Sequence, residues 1–429
     1  MMKRSRFALK ALSVGALSLL AAACGASTGS SSSATTVAAT PNAPASITIG
    51  TAYSGSGAFA ISSLAELNGL NFWISQENAK GGVYVGAYQK RIPVKLISYN
   101  DQSDPATAGV LYNQLITQDK VNILVSDFGS VLTAPAVSIA QAHQQLLFDQ
   151  SGTGIPFFTP NNPYIVLANL PVSSIWPGPL SQFLVAKHID KVAIVYGTND
   201  FDLSQAETLK TSLTAAGVNV VYYQGMPTAT TSFGTILTTI AATNPGAVLE
   251  LGYQPNDVAF LQALQSSGIH FPMAFTVFPG QLLSLFQKDV GTAGLAYTYT
   301  YATNFFHNYT KVNEGLTSSA FLAAIAKQYP GSVNTLGLLG YNTGLVIQAT
   351  LKNATDLSQI ALRNAATKIS GTLNTLDGNF KINADGAQIG ELLPLGQLVP
   401  NSSNTAVDLK VVYPTSQADA SAVYPMPGG

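Results

Sequence analysis

Short runs of β-branched residues alternate with helical stretches along most of this chain. The first run, over 47–51, ends in a glycine-rich turn, and apolar residues then recur about every 3.6 positions until Gly81 and Gly82. Further strands are predicted over 92–99, 121–125, 192–196, 218–223, 247–251 and 273–277, and further helices over 106–117, 204–216, 255–267 and 280–287. This alternation predicts parallel sheets with helices on both faces. Because it restarts after the irregular stretch 156–179, and 429 residues are enough for two domains, we predict an α/β fold with two doubly wound α/β lobes.

The beginning of the chain has the pattern of an export signal. Basic residues at positions 3, 4, 6 and 10 precede an apolar run over 11–23, which is shorter than the roughly 20 residues that a membrane-spanning helix needs. We therefore predict a cleavable lipoprotein signal peptide over 1–23. The only cysteine, Cys24, follows in a segment Ala-Ala-Ala-Cys that resembles the bacterial lipobox, although that pattern has a larger aliphatic residue where Ala21 stands. The prediction is lipidation of Cys24, and the alternative is an ordinary secretory signal that leaves an unpaired thiol.

Composition limits the partners and the location of the mature protein. Residues 24–46 consist almost entirely of small and polar residues, which predicts a flexible tether. A net charge of -1 without a basic tract argues against nucleic acid as a partner. With no second run long enough to span a bilayer, we expect an extracytoplasmic or periplasmic protein held at the outer face of the cytoplasmic membrane by its lipid alone. Only 10% of the residues are charged, which suggests the hypothesis of an acidic habitat.

Three motifs resemble those of a known family. Residues 76–83, QENAKGGV, resemble the Ile-Asn-Ala-Lys-Gly-Gly-Ile signature that closes the first helix of the leucine/isoleucine/valine-binding protein family, the type I periplasmic binding proteins. Residues 100–105, NDQSDP, resemble that family's Asp-Asp-x-x-Asp-Pro turn after the second strand. Residues 377–386, DGNFKINADG, resemble its late Gly-x-x-x-Phe-Asp-x-x-Gly hairpin. The order and spacing of the three motifs match the family from residue 47 to the C-terminal region.

The resemblance implies a Venus flytrap, in which two α/β lobes are joined by three crossing strands and hold a ligand between them. The crossings are expected near 170–171, 301–303 and 373–376. The first lobe then comprises 47–170 and 303–373, and the second lobe comprises 171–302 and 374–429 with the C-terminal tail. The cleft faces the carboxyl ends of the strands, where helix N-termini offer N–H groups and positive potential.

Small hydroxyl residues follow two strands of the predicted first lobe. Ser130 comes shortly after the strand 121–125, and Ser151 and Thr153 come after the run 146–148. In the family, the serine that matches Ser130 binds the ligand's α-carboxylate, and Ser151 and Thr153 align with positions that contact the same carboxylate. The alternative is that all three are turn or N-cap residues, which serine and threonine favour in any protein.

This sequence departs from the family pattern at the place where a ligand's ammonium group is expected to bind. Tyr253 matches a tyrosine of the family's cleft, but Phe201 stands where the family usually has tyrosine, and Phe278 stands where an acidic residue is expected. A buried ammonium without a partner costs several kcal/mol. Either a nearby acid substitutes, or the ligand is a small carboxylate, amide or aromatic acid without an amine. The nearby acids are Asp200, Asp202 and Glu250.

Aromatic residues gather near the predicted turns and crossings. Tyr53 and Phe59 flank the first glycine turn, and the others are Trp176, Tyr297, Tyr299, Tyr301, Phe305 and Phe306. An aromatic cleft with few polar groups suits a small, largely apolar ligand. The alternative for each ring is ordinary core packing, and the alternation of the three tyrosines favours one face of a strand.

No motif of an enzyme is complete in this sequence. Residues 55–60 fit a dinucleotide-binding Gly-x-Gly-x-x-Ala pattern, but no acidic residue ends a second strand at the required distance. The four histidines have no metal-ligand spacing, and no Gly-x-Ser-x-Gly segment is present. We predict no catalysis, cofactor or metal.

Two functions are compatible with this pattern. The first is a monomeric solute-binding lipoprotein of an ABC importer of the branched-chain amino acid type, which closes on its ligand and docks on permease subunits. The second is a surface receptor of the same fold that signals occupancy to a regulatory partner.

Overall fold

The structure, a computed structural model, describes residues 42–303 and 311–428. The predicted signal peptide, Cys24 and most of the predicted tether lie outside the described residues, as do Phe305 and Phe306. Within the described ranges, no helix combines the length and the apolar character that crossing a bilayer requires.

The first part of the chain builds one parallel sheet with its helices. Its elements are β1 (Ile47–Tyr53), α1 (Ala60–Ala79), β2 (Val83–Val85), β3 (Lys90–Ile92), β4 (Val94–Asn100), α2 (Pro105–Thr117), β5 (Ile123–Val125), α3 (Gly129–Ala142), β6 (Leu147–Asp149) and β7 (Ile165–Leu167). Five strands pair in parallel in the spatial order β4-β1-β5-β6-β7, while β2 and β3 form an antiparallel hairpin. Side chains alternate between the two faces of the sheet, so Ile123 and Val125 enter one core and Leu124 enters the other.

The second sheet has seven strands. The elements that follow β7 are α4 (Pro177–Ala186), β8 (Lys191–Gly197), α5 (Asp200–Ala215), β9 (Asn219–Met226), α6 (Gly234–Ala241), β10 (Ala247–Leu251), α7 (Gln254–Ser267), β11 (Ala274–Phe275), α8 (Leu283–Asp289), α9 (Gly291–Leu295), β12 (Tyr299–Tyr301), α10 (Ser318–Gln328), α11 (Thr335–Asn353), α12 (Gln359–Ile369), β13 (Leu373–Thr375), β14 (Gly378–Phe380), β15 (Leu395–Pro400) and β16 (Val407–Tyr413). The spatial order is β16-β15-β12-β11-β10-β8-β9, in which the pairs β12–β15 and β15–β16 are antiparallel and the other pairs are parallel.

The chain runs between the two sheets three times, after β7, after β12 and before β15. Helices α10, α11 and α12 pack their apolar faces into a core that they share with the first sheet, and the β13–β14 hairpin joins the same core. The second sheet has its own core cluster. The predicted α/β class with two doubly wound lobes is therefore confirmed, while the residue boundaries of the lobes given above stay predictions.

Several predicted elements differ from the observed ones. Pro93 lacks an N–H and divides the predicted strand 92–99 into the end of β3 and the start of β4. The predicted strand 273–277 shortens to β11, and the predicted helix 280–287 begins only at Leu283. Pro135 lies inside α3, because the helix already begins at Gly129, whose φ is 72°.

Helices α1 and α11 are in backbone contact, and the contact depends on glycine. A Cβ atom on Gly340 would collide with the carbonyl oxygen of Glu66, and one on Gly69 would collide with the carbonyl oxygen of Gly337. The close approach holds the buried face of α1, which carries Glu66, against the rest of the first lobe.

We expect Gly340→Ala to lower the free energy of unfolding by about 2–3 kcal/mol, because the added methyl forces two packed helices apart. Urea denaturation measures this loss. The matched control is Gly178→Ala in α4, where a Cβ atom would meet nothing within 4 Å. Replacing glycine there leaves stability unchanged or raises it by up to about 1 kcal/mol. Equal losses in the two variants would contradict the packing argument.

Candidate ligand-binding cleft

A small cavity lies where residues of both lobes meet. Its lining comprises the rings of Phe128, Trp176, Phe201, Tyr253 and Phe278, the aliphatic Leu170, Leu336 and Leu339, and Gly129, Ser151 and Gln281. None of the described residues that line it has a charged side chain. The volume of this inner cavity is about 10 Å³, close to the least space that one water molecule requires. The side chains of the two lobes therefore fill almost all of the space between them.

The N-terminus of α3 and the loop after β6 bring two of the predicted serines together. The Gly129 N–H donates to Ser151 Oγ at 3.0 Å, and the Gly154 N–H donates to Ser130 Oγ at 3.0 Å. The Ser130 N–H donates to the hydroxyl oxygen of Tyr253 at 2.9 Å, across the cleft. Free N–H groups at the start of a helix attract anions, because the helix dipole adds positive potential there. This corner of the cleft has the chemistry of a carboxylate site.

Thr153 lies next to this corner but outside the cavity lining. Its N–H donates to the Ser151 carbonyl oxygen at 3.0 Å, and its own carbonyl oxygen accepts from the N–H and the hydroxyl of Ser173, each at 2.8 Å. Its hydroxyl oxygen is buried and has no hydrogen-bond partner within the described part of the chain. A ligand role for Thr153 stays a prediction.

Tyr253 is surrounded by rings from both lobes. Its ring centroid lies 5.0 Å from that of Phe59, 5.4 Å from Phe201, 5.8 Å from Phe128 and 5.8 Å from Phe278, and it stacks on Phe278 with an interplanar angle of 25°. Four of the aromatic residues predicted from the sequence are thus brought together. Edge-to-face and offset-stacked pairs of this kind add stability beyond the area they bury.

Other aromatic candidates are not at the cavity. Tyr53 is half-buried at the end of β1 and does not line the cavity. Tyr299 and Tyr301 are fully buried in the core of the second lobe, which agrees with the alternative of core packing. Trp176 does line the cavity and lies 5.0 Å from Phe201 between ring centroids.

The acids proposed to replace the missing one do not face the cavity. Asp202 and Glu250 are fully buried beneath the aromatic layer, and burial raises the pKa of both well above the usual range. Asp257 lies beside Glu250, has its pKa raised to about 7 by burial, and accepts the Phe278 N–H at 2.6 Å. Asp200 is half-buried at the start of α5 and does not line the cavity either. None of these carboxyl groups is therefore placed to contact a ligand in the inner cavity directly.

A buried acid that is not among the residues predicted from the sequence lies behind the carboxylate corner. Glu66 is fully buried in α1. Burial raises its pKa well above the usual range, a hydrogen bond with Ser151 opposes this rise, and the charges of Asp127 and Asp149 add to it. Burial thus favours the neutral form of Glu66, in which the corner has no negative charge of its own.

A second space, which we call the outer chamber, lies on the other side of Tyr253. Its volume is about 340 Å³. It is lined from the first lobe by Ala58, Phe59, Ser103 and Val131, and from the second lobe by Thr228, Ala229, Thr231, Tyr253, Pro255 and Asn256. Among the described residues, Tyr253 is the one that lines both the inner cavity and the outer chamber.

Comparison with known proteins places the chain in a family. A family model described as periplasmic binding protein matches residues 46–403. The chain is 23% identical over 205 residues to the Leu/Ile/Val/Thr-binding protein of Salmonella typhimurium, which covers 48% of this chain and 54% of that protein. It is 24% identical over 214 residues to an amino acid binding protein of Pseudomonas aeruginosa, with coverage of 47% and 54%. The chain spans about half the length of these curated relatives.

Solved structures share the fold. The substrate-binding protein LivJ of a branched-chain amino acid transporter from Streptococcus pneumoniae, in complex with isoleucine, has a TM-score of 0.71 at 20% identity and covers 86% of this chain and 100% of that one. A solute-binding protein of an ABC transporter from R. palustris, in complex with benzoate, has a TM-score of 0.72 at 17% identity, with coverage of 88% and 98%. A second one from R. palustris, in complex with 4-hydroxybenzoate, has a TM-score of 0.70 at 17% identity, with coverage of 86% and 96%. The chain belongs to the type I periplasmic binding proteins of the branched-chain amino acid family.

Proposed function

We propose that the protein is the extracytoplasmic solute-binding component of an ABC importer, and that its ligand is a small aromatic carboxylate without an amine. The observation that carries this proposal is the lining of the inner cavity, where five aromatic rings surround hydroxyl and N–H groups and no acidic side chain is present among the described residues.

The carboxylate is supported by the corner formed by α3 and the loop after β6. The N–H of Ser130 and the hydroxyl of Ser151 lie at the positive end of a helix of 14 residues. The backbone fixes the position of the Ser130 N–H, so an anion that replaces the Tyr253 oxygen there meets an ordered donor.

The absence of an amine is supported by the positions of the acids. Asp202 and Glu250 lie beneath the rings, and burial favours their neutral forms. Neither can balance a ligand's ammonium group without first losing a proton in an apolar environment, which is costly. Benzoate and 4-hydroxybenzoate, which two of the structural neighbours hold, are amine-free aromatic acids of the kind we propose.

Calorimetry with matched ligand pairs tests the proposal. Each pair consists of an amino acid and the same acid without its amine, as in leucine against 4-methylpentanoate and phenylalanine against 3-phenylpropanoate, with benzoate as a further ligand. An uncompensated buried ammonium costs about 3 kcal/mol, so we expect the amine-free acid of each pair to bind about a hundredfold more tightly. Tighter binding of both amino acids would reject an amine-free ligand.

The remaining parts of the proposal concern delivery. We infer that lipidated Cys24 and the tether over 24–46 hold a monomeric protein near permease subunits at the outer face of the membrane. Closing of the lobes on the ligand gives the permease a shape that differs from the empty form.

A further inference from the structure

We propose that the phenol of Tyr253 is an internal occupant of the ligand site, and that an aromatic carboxylate displaces it into the outer chamber. This inference rests on the proposed function, since the displacing ligand is the aromatic acid proposed above. Tyr253 would then select for flat six-membered rings that carry an acidic oxygen.

The first observation is that the tyrosine oxygen already uses the donors of the carboxylate corner. Tyr253 belongs to the second lobe, yet its hydroxyl oxygen accepts the Ser130 N–H at the start of α3 in the first lobe, at 2.9 Å. Gly129 leaves room for this oxygen, because a Cβ atom there would lie 2.9 Å from it. A ligand carboxylate at this corner has to compete with the hydroxyl for the same N–H group.

The second observation is the packing of the phenol ring. It stacks on Phe278 and meets the edges of Phe59 and Phe128 at interplanar angles of 67° and 70°. These faces suit a flat ring, since offset-stacked and edge-to-face contacts depend on planarity. A six-membered ring with an oxygen on the α3 N-terminus is also what benzoate would present, so the phenol imitates the ligand.

The third observation concerns space. The inner cavity of about 10 Å³ cannot hold an aromatic ring, so the phenol has to leave before such a ligand fits in the closed form. The outer chamber of about 340 Å³ borders the same side chain and is lined mainly by small and apolar residues. Its far wall is fixed, because Asn256 Nδ2 donates to the carbonyl oxygens of Thr228 at 3.0 Å and Thr230 at 2.7 Å. The Tyr253 N–H is held by Asn256 Oδ1 at 3.0 Å, so the side chain can turn while the backbone stays.

Calorimetry with benzoate on the full chain tests this role. Tyr253→Phe keeps the ring and removes the competing oxygen, so we expect benzoate to bind roughly 5- to 10-fold more tightly than to the wild type. The matched control is Tyr301→Phe, which removes a buried hydroxyl that has no hydrogen-bond partner in the described ranges and lies outside the lining. Its affinity should equal that of the wild type. Ala229→Trp, which fills the outer chamber from an exposed position, should weaken binding at least tenfold.

The outcomes separate this inference from the proposed function. If the wild type binds benzoate and Tyr253→Phe binds it more weakly, the hydroxyl contacts the ligand, and the inference is wrong while the proposed function stands. If no carboxylate binds to any variant, the proposed function fails and displacement of the phenol by a ligand fails with it, and small-angle X-ray scattering without ligand then tests only the Tyr253 contact across the cleft. A larger radius of gyration for Tyr253→Phe than for the wild type and Tyr301→Phe would support the contact across the cleft, and equal radii would overturn it.

Discussion

Raising the pH from 5 to 8 is expected to lower the free energy of unfolding by at least about 3 kcal/mol. The reason is a set of buried carboxyl groups whose pKa values are raised by burial. The set comprises Glu66, Asp127, Asp149, Asp202, Glu250, Asp257 and Asp377. Burial raises the pKa of Asp149 and Asp257 to about 7 and that of Asp377 to about 8.

The sign follows from proton linkage. Between the unfolded pKa near 4 and the raised folded pKa, the folded state holds protons that the unfolded state has released. The stabilisation is complete below the unfolded value and is lost as the pH rises through about 7 to 8. One group raised by three pKa units corresponds to about 4 kcal/mol, so a partial response of a few groups is enough for the expected loss. Asp104 and Asp356 have lowered pKa values, but both are exposed and titrate below this range.

Urea denaturation at constant ionic strength, followed by the fluorescence of Trp73 and Trp176, measures this dependence. The matched variant is Asp149→Asn, which keeps an oxygen for the Ser126 hydroxyl, now 2.9 Å from Asp149 Oδ1, and for the Gly152 N–H at 2.7 Å. It cannot ionise, so it should lose less stability than the wild type between pH 5 and 8. A wild-type stability that stays level or rises over this interval would refute this explanation.

The sequence predicts the strands of the fold best where a buried strand is a continuous apolar run of five residues or more. β8 is an example, with the unbroken run 192–196, and in β10, whose five residues are all buried, Glu250 alone interrupts the apolar pattern. β7 was not predicted, because three strand residues inside the irregular stretch 156–179 are too few to show a period. Short parallel strands of this kind are defined by their neighbours in the sheet and not by their own sequence.

Only part of the cleft could be predicted from the sequence. The positions of Ser130, Ser151 and the aromatic residues after strand ends follow from the rule that such ends meet in space. The contact between Tyr253 and Ser130 was not predictable, because it joins residues 123 positions apart and depends on how the lobes close. The sequence does carry a signal for the burial of Glu66. It lies three positions after Ser63 and four before Leu70, so it shares their buried helix face.

A substitution at position 278 is expected to change the class of ligand that the protein binds. Phe278 is 2% exposed, stacks on Tyr253, and stands where the family resemblance led us to expect an acid. We expect Phe278→Glu to bind leucine at least a hundredfold more tightly than the wild type does, because a carboxylate at the cavity supplies the partner that an ammonium group lacks. Benzoate should bind more weakly, since it loses a ring contact and meets a negative charge. Calorimetry with both ligands measures the exchange.

Phe278→Gln is the control, because it opens the same space without a charge. If it gained leucine affinity to the same extent, space and not charge would explain the effect. The charge explanation also predicts a pH dependence. A glutamate at position 278 would lie beside the buried pair Glu250 and Asp257 and would be largely neutral at low pH. Leucine binding by Phe278→Glu should therefore strengthen from pH 5 to 8, where its carboxyl ionises against the ligand's ammonium, while Phe278→Gln should show no such rise.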